Sequence, residues 1–153
     1  MLRLWLAFVT TLLTAAAVGG CKSSHGAVLE WHGSEQGLAH ARSAAQEWRD
    51  VCGADVWVRQ EGEGGAPMTE VPTGEFVDGR PGLLGLTYND PEGRVLGVFV
   101  TRFDGQQTTI AHELGHALGG ALYDHPRTGL MAVELDRGDG EYHVTAAECA
   151  LLP

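Results

Sequence analysis

The sequence predicts an α+β domain, and three observations carry that prediction. Apolar residues recur at three- and four-residue spacing from Leu38 to Cys52, the period of an amphipathic helix. They then gather in short alternating or continuous runs bounded by Gly, Pro, Asn and Asp, which is how strands read. A second helical period opens near Asp104 and carries Ile110, Leu114 and Leu118 on one side.

Residues 1–20 stand outside that domain. Arg3 supplies a positive start, and Leu4 to Val18 is apolar and uncharged. The stretch is short for a spanning helix and has the layout of a secretory signal. It ends in Val18-Gly19-Gly20-Cys21. Small residues directly before a cysteine resemble the lipobox of bacterial lipoproteins. That resemblance implies cleavage before Cys21, lipid on Cys21, and a membrane anchor to which each buried methylene adds about 0.8 kcal/mol. Lys22, where an aspartate would signal retention, implies an outer-membrane address. The alternative is an ordinary signal with an incidental cysteine. Residues 21–26 then form a short lipidated tether, and residues 27–153 form one domain.

Within the domain, Ala27 to His32 reads as a strand. Ser34 is placed to cap a helix whose stripe is Leu38, Ala41, Ala45, Trp48 and Cys52, and which stops near Gly53. Asp55 to Gln60 reads as a second strand, with Val56 and Val58 on one face. Glu61 to Gly82 is rich in Gly, Pro and acidic residues and is predicted to be a long loop, interrupted by a short strand around Glu75-Phe76-Val77. Leu83 to Tyr88 and Arg94 to Thr101 form two strands of a hairpin joined by Asn89-Asp90-Pro91-Glu92-Gly93. Asp104 caps the next helix, with Gln107 as its box partner, and the helix runs to about Ala121. Thr145 and Glu148 form a second capping box before a short last helix.

The second long helix carries His112-Glu113-Leu114-Gly115-His116. Histidines four apart lie one turn from each other on one helical face, so both imidazoles can reach a single metal. Glu113 sits beside the first histidine, where a carboxylate can take a proton from water; this is the pattern of metal-assisted hydrolysis. Gly119 follows, then His125 in Tyr123-Asp124-His125-Pro126, then Met131 in Gly129-Leu130-Met131. The run Ile110 to Gly119, with the later histidine and methionine, resembles the active-site helix and methionine turn of matrixin-like metzincin peptidases. The resemblance covers about residues 104–131. It implies a small zincin-like domain with a mixed twisted sheet. It also implies a Zn2+ ion held by His112, His116 and His125, Glu113 as general base, Met131 beneath the metal, and a peptide or protein substrate. In that family the rim strand of the sheet binds extended substrate along its edge, and Leu83 to Tyr88 is the candidate for it.

One position departs from the family pattern. The third ligand would fall at Leu122, and leucine cannot bind zinc. His125 lies three residues later, while Met131 stays nearly where a matrixin methionine falls. A local insertion after Gly119-Gly120 accounts for both. Asp124 is the alternative third ligand. Two further readings stay open: a gluzincin-type hydrolase completed by Glu134 or Asp136, and a non-catalytic metal-binding lipoprotein.

Charge and cysteines narrow the remaining classes. Ten basic residues stand against twenty acidic ones, for a net charge of -10. That balance argues against nucleic-acid binding, which needs a basic patch. It leaves the lipid anchor as the route to a membrane, and a monomer is expected. Apart from Cys21, the cysteines are Cys52 and Cys149. In an oxidising compartment they would pair into one disulfide; otherwise they are two buried thiols.

Overall fold

Strand alternation, helix caps and one covalent crosslink define the architecture. The computed structural model describes residues 26–75, 77–103, 106–119, 129–131 and 143–153. Strand β1 is Ala27–His32, helix α1 is Glu35–Cys52 and strand β2 is Val56–Gln60. Strand β3 is Ala66–Val71, β4 is Gly85–Asn89 and β5 is Val95–Thr101. Helices α2, Gln106–Ala117, and α3, Ala146–Cys149, follow.

The five strands form one mixed sheet in the order β2-β1-β3-β5-β4. β1 runs parallel to β2 and β3, and β3 runs parallel to β5. β4 alone is antiparallel, pairing with β5 as Leu86 to Phe99 and Tyr88 to Gly97. This is an α+β domain. One face of the sheet buries Leu29, Val56, Met68, Val98 and Val100 in a core shared with Ala41, Ala45 and Trp48 of α1 and with Ile110 and Leu114 of α2. The two helices pack against each other, α1 also against β2, and α2 against β4 and β5.

Helix α1 has the ends its sequence calls for. The Ser34 hydroxyl accepts the Gly37 N–H at 3.1 Å, and the chain leaves through Gly53 in the left-handed region. At α3 the Thr145 hydroxyl accepts the Ala147 N–H, and the Glu148 carboxylate accepts the Thr145 N–H at 3.0 Å. Cys52 and Cys149 are joined by a disulfide, with Cα atoms 5.2 Å apart and a sequence separation of 97. It ties the end of α1 to α3. Glu47 of α1 adds a second link, accepting the Val144 N–H and pairing with His143.

Three local expectations are corrected. The stretch read as a loop from Glu61 to Gly82 contains β3, the middle strand of the sheet. Pro67 lacks an N–H and so argues against a central strand, and Glu70 faces inward where an apolar residue would signal burial. In the fold, Met68 fills the core and Glu70 is buried with a full set of polar partners. No strand forms around Glu75-Phe76-Val77 among the described residues; a single 3-10 turn, Val77–Gly79, follows instead and buries Val77.

Helix α2 ends at Ala117, one turn short of Ala121. Leu118 N–H still bonds the Leu114 carbonyl at 3.0 Å, then Gly119 N–H bonds the His116 carbonyl at 2.9 Å and Gly119 takes φ 84°. A left-handed residue cannot continue the helix, and glycine adopts it without steric cost. At the other end, the expected cap Asp104 is outside the described residues, and the Gln107 amide donates to the Ser43 hydroxyl of α1 at 3.2 Å. No helix among the described residues is long and apolar enough to cross a membrane. Residues 1–25, with Cys21, are outside those residues.

Candidate active site

Helix α2 is buried along most of its circumference, so its polar side chains sit where packing puts them. Three contacts fix it. The Trp48 indole N–H donates to the Ala111 carbonyl at 2.8 Å, one residue before His112. Ile110, Leu114, Ala117 and Leu118 pack into the core. At its start the Gln106 amide donates to buried Glu70 at 3.0 Å.

The two histidines converge. His116 Nε2 lies 3.0 Å from His112 Nε2, and the rings meet edge to face. Two nitrogens of one tetrahedral metal, each about 2.0–2.1 Å from it, stand about 3.3 Å apart. The pair is therefore already near the spacing that a shared cation requires. His112 Nδ1 lies 2.7 Å from the Leu130 carbonyl. A carbonyl only accepts, so Nδ1 carries the proton, and in the neutral form of the ring the Nε2 lone pair points toward His116. Such a backbone partner behind a ligating imidazole is the usual way its orientation is fixed.

Glu113 lies between α2 and the edge strand β4. A side chain at Gly85 would put its Cβ 2.5 Å from Glu113 Oε1, so glycine there makes room for the carboxylate. The Thr87 hydroxyl donates to Glu113 Oε2 at 2.6 Å. Burial pushes the Glu113 carboxyl up to about 7, against the lowering effect of the Thr87 hydrogen bond. A carboxylate with that affinity is suited to exchange protons near neutral pH. One turn on, the Asn89 side chain donates to the His116 carbonyl at 3.3 Å and ties the end of β4 to the helix.

Met131 packs beneath the helix. It is fully buried, and a Cβ at Gly115 would overlap its sulfur and lie 2.9 Å from Trp48 Cζ2. Gly115 of the histidine motif thus admits both Met131 and Trp48 to the helix surface. Leu130, beside it, is also fully buried and supplies the carbonyl that holds His112.

No family model and no curated protein matches the chain significantly. The site therefore stands on its own geometry. Of the residues that the sequence nominates, the fold brings the His112 and His116 side chains together, packs Met131 against Gly115 between them, and sets the Glu113 carboxylate against Gly85 and Thr87 of β4. His125, Asp124, Glu134 and Asp136 lie outside the described residues, and among the described residues no three His, Cys, Asp or Glu side chains form a cluster able to hold a metal. The two imidazoles could occupy two positions on a cation, and a third donor would have to come from outside the described residues.

Sequence reasoning overlooks three participants: Gly85, Thr87 and the Leu130 carbonyl. Gly85 and Thr87 alternate on one face of β4, and strand period alone identifies the face without saying what lies against it. The role of Leu130 is carried by backbone, which leaves no mark in a sequence.

Proposed function

We propose that this protein is a zinc-dependent metallopeptidase of the metzincin kind, anchored to the bacterial cell envelope through lipid on Cys21. The observation that carries the reading is the convergence of the His112 and His116 Nε2 atoms, with His112 oriented from behind and a buried carboxylate next to it in sequence. His112, His116 and a third donor, His125 or Asp124, would hold the zinc. The bound ion would supply Lewis acidity toward water and toward a peptide carbonyl.

The chain's own residues would do the rest. Glu113 takes the proton of the water that adds to the scissile carbonyl and delivers it to the departing amine, so the peptide bond breaks with no net proton change. Its raised affinity for a proton suits both transfers, since it neither holds the proton too weakly nor keeps it. Thr87 keeps the carboxylate on the β4 side of the helix. The edge of β4, which is the outer strand of the sheet among the described residues, can take an extended peptide by backbone pairing beside that carboxylate. The Cys52–Cys149 disulfide suits an oxidising compartment outside the cytoplasm.

The test uses full-length protein in detergent, measuring bound zinc and chelator-sensitive cleavage of a mixed peptide library. Glu113→Gln is expected to keep the metal and lose at least about 100-fold in turnover, the scale of a general base. His116→Ala is expected to lose the metal. Unchanged cleavage in Glu113→Gln, or wild-type protein that takes up no zinc, overturns the proposal. Zinc uptake without cleavage of any peptide would favour the metal-binding lipoprotein instead.

A further inference from the structure

We infer that Glu148 is a positioning residue for His112, acting through Leu130 from the far end of the chain. The inference rests on the metal reading above and extends it to a residue outside the histidine motif. Glu148 is buried on α3, and its two carboxylate oxygens serve different elements. Oε2 accepts the Thr145 N–H at 3.0 Å and the Thr145 hydroxyl, which is the work of a helix cap. Oε1 accepts the Leu130 N–H at 3.2 Å, from a residue 18 positions earlier. A cap does not need that second contact.

Leu130 is therefore held from both sides. Its N–H goes to Glu148, and its carbonyl accepts the His112 Nδ1 proton at 2.7 Å. Gly129 fits this clamp closely: it has φ 91°, and a Cβ there would stand 2.6 Å from Glu148 Oε1. The clamp needs a firm base, and a four-residue helix has little stability of its own. The disulfide at Cys149, the neighbour of Glu148, supplies it by fixing α3 to the end of α1.

The consequence concerns the proton on His112. While the Leu130 carbonyl stays in place, the proton belongs on Nδ1 and Nε2 keeps its lone pair. If Glu148 is lost, the Leu130 N–H is left buried without its acceptor, and the turn relaxes to find another. The carbonyl moves with it. The neutral imidazole is then free to carry its proton on Nε2, the nitrogen that faces His116, and the two-histidine arrangement weakens.

The test compares Glu148→Ala, Glu148→Gln and Thr145→Ala in the full-length protein. Zinc affinity is measured by competition with a chromophoric chelator, and the His112 tautomer is read by imidazole 15N NMR on metal-free protein at a pH where the ring is neutral. Loss of a partner behind a ligating histidine costs 10–100-fold in metal affinity, so Glu148→Ala is expected to lose about tenfold and to move His112 toward the Nε2–H form. The glutamine variant offers one carbonyl to two sets of donors and is expected to fall between. Thr145→Ala weakens the cap, lowers the thermal midpoint, and is expected to leave zinc affinity and tautomer unchanged.

Wild-type affinity and an Nδ1–H ring in both Glu148 variants would overturn the inference. So would a Thr145→Ala variant that matches Glu148→Ala in both readouts. If Glu148→Ala does not fold, Glu148→Gln decides. If the wild type takes up no zinc, the metal reading falls, and the tautomer comparison still decides the role of Glu148.

Discussion

Replacing Glu70 by Gln should weaken the fold by about 2–3 kcal/mol at neutral pH, and the loss should vanish in acid. Glu70 is buried on the central strand and joins three elements. It accepts the Ser34 N–H at 2.7 Å and the Ser34 hydroxyl at 3.0 Å, the Arg102 guanidinium at 2.6 Å, and the Gln106 amide at 3.0 Å. Burial acts to raise its proton affinity, but the guanidinium and the three other donors outweigh burial and bring the carboxyl down from 4.5 to about 2. At 1.36 kcal/mol per pH unit that difference is worth about 3 kcal/mol. Arg102 is half exposed, so solvent screens part of its share, and about 2–3 kcal/mol is the expected figure.

The direction with pH follows from linkage. A carboxyl with a lowered folded value stabilises fully above about 4.5, where the unfolded chain is also ionised. That contribution falls away as pH drops toward about 2. Urea unfolding of wild type and Glu70→Gln at a series of pH values measures it. The two stabilities should differ by about 2–3 kcal/mol at pH 7 and draw together below pH 4. A difference that stays constant with pH, or one under about 0.5 kcal/mol at neutrality, would refute the argument that ionised Glu70 anchors the starts of α1 and α2.

Gly115→Ala sets two effects against each other. Alanine improves helix propensity by about 1 kcal/mol, while overpacking against Met131 and the Trp48 ring costs about 1–3 kcal/mol. Trp48 is held by its bond to Ala111, so overpacking should win, with a net loss of up to about 2 kcal/mol in chemical denaturation and weaker zinc uptake. A stabilised variant would show that the contact relaxes freely. Replacing Cys52 and Cys149 together by serine opens a loop of 97 residues and should remove about 4–5 kcal/mol in the chain-entropy account, read as a large drop in the thermal midpoint. Thr87→Val removes the hydrogen bond that favours ionised Glu113. The acid limb of the peptide-cleavage profile, where Glu113 must lose its proton, should then move up by about one pH unit. An unmoved limb would mean that Glu113 is not the group titrating there.

Local order in this protein is legible in short stretches of chain. The ends of α1, the β4–β5 hairpin and the capping box at Thr145 each follow from a few neighbouring residues, because caps, turns and periodicity are short-range effects. The spacing of His112 and His116 belongs with them, since helical geometry alone places residues four apart on one face. Folding alone settles what depends on groups distant in the chain. It put Ala66–Val71 in the centre of the sheet despite Pro67, because Glu70 finds its partners only when Ser34, Arg102 and Gln106 are brought to it. It set Gly85 and Thr87 against Glu113, and it ran the connection from Glu148 through Leu130 to His112. Those contacts join side chains and peptide groups across the fold, so no local pattern records them.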